Sequence, residues 1–168
     1  MVQQIEIAVR RAKAGDAGRI AAFVNRAGRD QASVDEFAVI ERFGSVGFLV
    51  AESAGTLVGL LGWRAENLVV RLTDFLVGPV SDRVAVGQAL LSEMERSAAE
   101  LQCEAALLFL PRPAPAALIT FFEGLGYESR VVADLPSVWR DAAREGRLAD
   151  HDTMLVKPLR DRRVMRPL

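Results

Sequence analysis

One cysteine, one histidine and one tyrosine stand among 168 residues. A single thiol, Cys103, excludes an intrachain disulfide and a cysteine zinc cluster. In the apolar stretch CEAALLFL it reads first as core packing, with a reactive thiol as the other reading. The histidine, His151, falls in the turn Ala149-Asp150-His151-Asp152 and reads as a surface residue. No pair of His, Cys or acidic residues has metal-ligand spacing, so no metal is expected. An excess of one charge is also lacking: 21 Lys and Arg balance 22 Asp and Glu, leaving a net charge of −1. That balance gives no reason to expect a nucleic-acid groove. The one local excess, Arg160, Arg162, Arg163 and Arg166, predicts a basic tail over 159–168. No apolar run reaches the roughly 18 residues of a membrane span. The start, MVQQIEIAVRR, lacks a positive beginning followed by a long apolar region, as a signal peptide would have. A cytoplasmic protein with no membrane partner is expected.

What is abundant is aliphatic. The hydrophobic fraction is 51% and the mean hydropathy is +0.17, which excludes disorder as the main state. A chain of this length buries roughly 70% of its unfolded surface. With no repeat and no low-complexity linker, one domain over 1–158 is the economical expectation.

The periodicities predict twelve elements. QIEIAVR, 4–10, alternates and predicts a strand. Ala17, Ile20, Ala21, Val24 and Ala27 share one face of a helix over 15–28, with Asp16 in its first turn. Ser33-Val34-Asp35-Glu36 has a capping-box pattern and predicts a short helix to about Arg42. The β-rich runs 46–52, 57–63 and 68–77, joined at Ser53-Ala54-Gly55-Thr56 and Glu66-Asn67, predict a three-stranded meander ended by Pro79. Residues 82–101 predict the longest helix, with Val86, Leu90, Met94 and Leu101 facing one way. A buried strand over 105–110, a helix over 116–124, a strand over 127–134, a helix from Pro136 to about Glu145 and a strand over 153–159 follow. The order is β-α-α-β-β-β-α-β-α-β-α-β. It predicts an α/β fold: one mixed, mostly antiparallel sheet with helices on both faces.

Three segments in this order resemble the GNAT superfamily of N-acetyltransferases. IEIAVRRAKAGDAGRIAAFVNRA looks like its opening strand and helix. VGPVSDRVAVGQALLSEME, 77–95, is similar to its acetyl-CoA segment, Val-x-Pro-x-x-Arg-Gly-x-Gly-x-Gly/Ala before an apolar helix. ALITFFEGLGYES, 117–129, looks like its late helix and turn, Phe-Tyr-Glu-x-x-Gly-Phe. The resemblance implies a GNAT-like acyl-CoA N-acyltransferase fold and acetyl-CoA as acyl donor. It also implies a small-molecule amine as acceptor and a homodimer. The coenzyme pyrophosphate would lie at Arg83, Val84, Ala85, Val86, Gly87 and Gln88, where unpaired N–H groups and the helix dipole favour an anion. The pantetheine arm would run beside Leu76 and Val77.

The departures are as informative. Asp82 stands where the family usually has Arg or Gln, and Ala85 where the middle Gly is usual. At an effective dielectric of about 20, like charges about 6 Å apart repel by roughly 3 kcal/mol, less in solvent, so a weaker coenzyme site is expected. Phe122 replaces the Tyr that in many members protonates the departing thiolate, and Tyr127 reads as a core ring. Pro115 stands where the family often has Asn. Asp74, a carboxylate within the apolar strand RLTDFLV, is the candidate catalytic base. Glu52, Glu66 and His151 are weaker candidates. Trp63 and Trp139 read as packing residues or acceptor-pocket walls. Asn25, Arg26, Arg29 and Phe37 are candidates to face substrate, with Arg26 and Arg29 able to hold a carboxylate. The first expectation is an acetyl-CoA-dependent N-acetyltransferase. The alternative is a weak or inactive GNAT-like module that binds a ligand or partner.

Overall fold

The first strand begins later than its apolar alternation does, because a partner and not a pattern sets where pairing starts. In a computed structural model, which describes residues 5–28, 33–80, 82–110, 113–146 and 153–160, β1 is Ala8–Arg11. It pairs antiparallel with β2 (Gly47–Ser53), from Ala8 opposite Glu52 to Arg11 opposite Leu49. Ile5 and Ile7 precede it. The chain continues through a 3-10 turn (Ala14–Asp16), α1 (Ala17–Ala27) and α2 (Glu36–Arg42) to β2, β3 (Thr56–Glu66) and β4 (Val69–Val77). Then come α3 (Arg83–Glu100), β5 (Ala105–Leu110), α4 (Ala116–Gly124), β6 (Glu128–Ser129), α5 (Ser137–Gly146) and β7 (Thr153–Pro158). The element order is the expected one. The strands hydrogen-bond in the order β1-β2-β3-β4-β5-β7-β6. Pairing is antiparallel for β1–β2, β2–β3, β5–β7 and β6–β7, and parallel for β4–β5, so the sheet is mixed.

The chain divides into two compact units, Met1–Arg64 with Leu72–Arg96, and Ala65–Arg71 with Ser97–Leu168. In the first, period-two alternation gives β2 and β3 two apolar faces. Phe48, Val50 and Leu60 join Ile20, Phe23 and Val39 of α1 and α2 in one core. Ala51 and Gly59 face α3, whose Val86, Leu90 and Met94 are buried. Leu101 does not join that stripe. It lies past the helix end and is 52% exposed. The β2–β3 hairpin turns at Ala54 (φ 49°) and Gly55 (φ 76°), the positive angles a two-residue hairpin turn needs. The N-cap of α2 is Asp35, whose carboxylate accepts from Ala38 N at 2.8 Å, rather than Ser33.

Asp16 is buried, which its place in a first turn did not announce. Its carboxylate accepts from both Arg10 guanidinium nitrogens and from Lys13 N, each at 2.8 Å. Arg10 also donates to Glu52 at 2.6 Å, so Glu52 is ion-paired rather than freely solvated. Hydrogen bonds from Arg10 hold both carboxyls below the ordinary range, Asp16 most strongly. A carboxyl depressed by folding contributes stability above its unfolded pKa and loses it as pH falls. The contribution is therefore complete at pH 7 and fades below about pH 4. Asp16→Asn is expected to cost about 2–3 kcal/mol at pH 7, the scale of lost charge-assisted hydrogen bonds. Urea denaturation at pH 7 and pH 3 checks this, since the variant should lose much of the wild-type difference.

In the second unit, Val69, Ala105, Leu107, Trp139, Ala142 and Met154 form the core. Trp139 is a packing residue, buried and donating from Nε1 to Glu104 Oε2 at 2.9 Å. Glu66 is half-buried, with its carboxylate 3.6 Å from Arg71, rather than solvated. Tyr127 and Phe122 are buried edge to face, with ring centroids 5.3 Å apart. The run 127–134 is a strand only at Glu128–Ser129. It then leaves the sheet for a 3-10 turn at Val132–Asp134, with Val131 61% exposed. The end of α3 is a Schellman motif. Gln102 takes φ 64°, Cys103 N donates to Ala98 O at 2.9 Å and Gln102 N to Ala99 O at 3.0 Å. Cys103 is thereby buried at 2% exposure, and burial pushes its thiol pKa up. Among the described residues no helix is long and apolar enough to cross a membrane.

Candidate functional site

Between α1, α2 and the Leu72–Val77 part of β4, all within the first unit, lies a cavity of about 320 Å3. Its walls are mainly aliphatic and aromatic: Val24, Val34, Ala38, Val39, Phe48 and Leu60 line it. Among the described residues three polar side chains also line it, namely Arg42 from the last turn of α2 and Thr73 and Asp74 from β4. Arg42 meets Asp74 in a two-pronged pair, Nη1 to Oδ1 at 2.9 Å and Nη2 to Oδ2 at 2.5 Å. Thr73 Oγ1 donates to Asp74 Oδ2 at 2.7 Å. The Arg42 guanidinium carbon also lies 5.1 Å from the Phe48 ring centroid, a cation–π contact that holds the group against the wall. The Asp74 carboxylate raises the Arg42 pKa. Both side chains remain reachable, at 43% and 23% exposure.

Asp74 sits where it does because Gly62 leaves room. A Cβ built on Gly62 of β3 would collide with Asp74 Oδ2 and lie 2.6 Å from Thr73 Oγ1. Only a residue without a side chain lets the carboxylate tuck against β3 and face Arg42.

Further along β4, Leu76 packs against the α1–α2 core and lines the cavity, and Val77 ends the strand. Gly78 N then donates to Val58 O at 2.8 Å. Ser81 lies outside the described residues. Asp82 is the N-terminal cap of α3: its Oδ1 accepts from Ala85 N at 2.9 Å and its carbonyl from Val86 N at 3.3 Å. The carboxylate at this position thus takes one of the N–H groups that a helix start offers to an anion. Arg83 Nη2 donates back to Val77 O at 3.4 Å. Arg83, Val84 and Gln88 are exposed, Ala85 is half-buried, and Val86 and Gly87 are buried. The loop presents a basic side chain and the remaining helix-start N–H groups to solvent beside the end of β4.

The other sequence candidates fall elsewhere. Asn25 is committed to the backbone, donating to Val34 O and accepting from Val34 N, both at 2.8 Å. It positions a wall of the cavity without lining it. Arg26 and Phe37 are exposed and do not line it either. Trp63 lies across Gly47 and lines a separate, more open groove of about 350 Å3 with Arg11 and Phe43. Pro115 caps α4. Arg29, His151 and the tail beyond Arg160 lie outside the described residues. Among the described residues no group of three or more His, Cys, Asp or Glu could hold a metal. Sequence reasoning missed Arg42, the partner that makes Asp74 part of a charge pair. The available signal was a basic residue in the last turn of a helix packed over that strand.

No family model matches the chain, and no curated protein matches it in sequence. Solved structures do match it in fold. The chain superposes on the ribosomal-protein-S18-alanine N-acetyltransferase of Escherichia coli with a TM-score of 0.73 and 15% identity, covering 97% of this chain and 100% of that one. The PaiA N-acetyltransferase of Thermoplasma acidophilum, in complex with coenzyme A, gives 0.69 at 14% identity, with 92% and 99% covered. A GNAT superfamily phosphinothricin acetyltransferase from Sinorhizobium meliloti, in complex with AcCoA, gives 0.69 at 19% identity, with 96% and 93% covered.

Proposed function

We propose, from the premise that this chain has the GNAT fold, that it is an N-acetyltransferase that moves an acetyl group from acetyl-CoA to a small-molecule amine. The observation that carries the reading is the cavity beside β4, small, mostly apolar and holding a carboxylate within reach of a bound amine. Its size is at the low end of the roughly 300–1,000 Å3 of small-molecule pockets. The same strand leads through Leu76 and Val77 into the loop at the start of α3, so one element serves acceptor and donor. Neighbours of the same fold are described with coenzyme A or AcCoA bound, which supports the donor.

An ammonium cannot attack a thioester, because its lone pair holds a proton. Asp74 is the group that takes that proton. The neutral nitrogen then attacks the thioester carbonyl, the C–N bond forms, the C–S bond breaks, coenzyme A leaves as a thiolate, and the nitrogen gives up a second proton to water as it becomes the amide. Phe122 has no proton to give, so water protonates the thiolate. Holding both substrates beside β4 supplies much of the acceleration, and proton transfer typically 10²–10⁴-fold more. The Arg83 side chain with the helix-start N–H groups that Asp82 leaves open, those of Arg83 and Val84, holds the pyrophosphate beside the Ala85–Gln88 turn.

Asp82 opposes that binding by its charge while keeping the helix start formed. Asn caps about as well as Asp without the charge. Asp82→Asn is therefore expected to tighten acetyl-CoA binding about five- to tenfold, the residue of a roughly 3 kcal/mol repulsion after solvent screening. Asp82→Arg should tighten it further. Calorimetric titration with acetyl-CoA and free coenzyme A measures both. Absence of binding up to millimolar in wild type and both variants would overturn the reading. The self-capped loop and the buried Phe122 would then favour a ligand- or partner-binding module without turnover.

A further inference from the structure

We propose that the cavity takes a zwitterion, a free α-amino acid with an apolar side chain, whose carboxylate binds Arg42 and whose ammonium binds Asp74. For the fate of the nitrogen this rests on the acetyltransferase reading. The recognition itself is argued from the cavity alone.

Among the described residues, Arg42 and Asp74 are the charged ones that line the cavity, and they face each other in it. A simple amine that binds Asp74 must break that pair, and it leaves a guanidinium without its anion in a half-buried site. A simple carboxylate leaves Asp74 in the same position. A zwitterion exchanges one ion pair for two and leaves no charge unmatched. The guanidinium offers a planar fork suited to a carboxylate. Its contact with Phe48 keeps it on the wall when Asp74 turns to the ligand. Thr73 supplies a hydroxyl that steadies Asp74 during the exchange. When Arg42 moves to the substrate carboxylate, the Asp74 oxygens it occupied are released to accept the ammonium proton. The apolar wall of Val24, Val34, Ala38 and Leu60 has no polar side-chain group to meet a hydrophilic substituent, and so selects an aliphatic or aromatic side chain. A peptide N-terminus has the amine but an amide in place of the carboxylate, and it leaves Arg42 unmatched.

Calorimetric titration of the full chain, without donor, tests this. Leucine, isoleucine, methionine and phenylalanine are each compared with their amides and with the amine and the acid lacking the other group. At least one amino acid should bind tenfold or more tightly than all three of its analogues. Arg42→Gln should erase its preference over the amide, which should bind at least as tightly as to wild type because no ion pair has to break, and Arg42→Lys should retain part of the preference. Asp74→Asn should erase the preference over the carboxylic acid. An amide or amine that binds wild type as tightly as its amino acid would overturn the proposal. So would a preference that survives Arg42→Gln, or no amino-acid binding at millimolar concentration. Acetyl-CoA binding measured in parallel separates the two readings. Donor binding with no amino-acid binding removes the zwitterion and leaves the acetyltransferase. Amino-acid binding with no donor binding does the reverse.

Discussion

Replacing Gly62 by alanine should reduce kcat/KM for the acceptor amine by about a hundredfold or more, the penalty of misplacing a reacting group by about 1 Å. The added Cβ would overlap Asp74 Oδ2 and lie 2.6 Å from Thr73 Oγ1. The carboxylate yields because it is the movable partner, and in yielding it leaves the Arg42 fork. It has solvent to move into, so the fold should lose little. The loop from Asp82 to Gln88 is untouched, so acetyl-CoA affinity should stay within about twofold of wild type, a change worth roughly 0.4 kcal/mol. Steady-state kinetics with a panel of amines and titration with acetyl-CoA together check both halves. Activity within threefold of wild type would mean that Asp74 has no part in delivering the amine.

Gly59→Leu should be the most damaging single change to stability. A Cβ there would lie 2.8 Å from Val86 Cγ1, 2.9 Å from Leu90 Cδ1 and 3.3 Å from Ala51 Cβ. All three neighbours are essentially without exposure, so none has space to retreat into. Helix α3 must lift from β3. Overpacking costs typically 1–3 kcal/mol, and a bulky group against a whole helix should exceed that range, at about 4 kcal/mol. For a chain of this size that lowers Tm by about 8–16 °C. The lifted helix carries Asp82 to Gln88 with it, so coenzyme affinity should fall about tenfold as well. Thermal unfolding and titration measure the two effects. Gly59→Ala paired with Val86→Ala should cost less than the sum of the separate changes, because the second removes the methyl the first collides with. Strict additivity would place the strain elsewhere.

How much was legible depended on where the information lay. The strand Ala105–Leu110 and the helix Ala116–Gly124 have the ends the sequence predicts, because a proline-rich Pro-Arg-Pro follows the first in sequence and Gly124 and Gly126 mark the stop of the second. The run 127–134 was not, since Val131 and Val132 have strand-forming side chains but leave the sheet. Propensity is local and pairing is not. Asp74 was visible as a carboxylate in an apolar strand. Its meaning depends on Arg42, 32 residues away on a helix, and no spacing rule links them. Asp82 stood out as a charge, and its capping role was equally readable from its place just before a long helix. Nothing in the sequence singles out Gly59 and Gly62 within their β-rich run. They are the places where a helix and a carboxylate come closest to β3, which appears only once the neighbours are in place.

The buried thiol has a practical side. Cys103 is the only cysteine in the sequence, and it is both enclosed and pushed away from the reactive thiolate form. To thiol-directed reagents the folded chain is therefore nearly a blank. A cysteine introduced at exposed Val84, beside the coenzyme loop, or at exposed Phe37 on the outer side of α2, would become the one addressable position. Fluorophores, spin labels and crosslinkers can then be placed at a chosen point without first deleting a native thiol and disturbing the core around it.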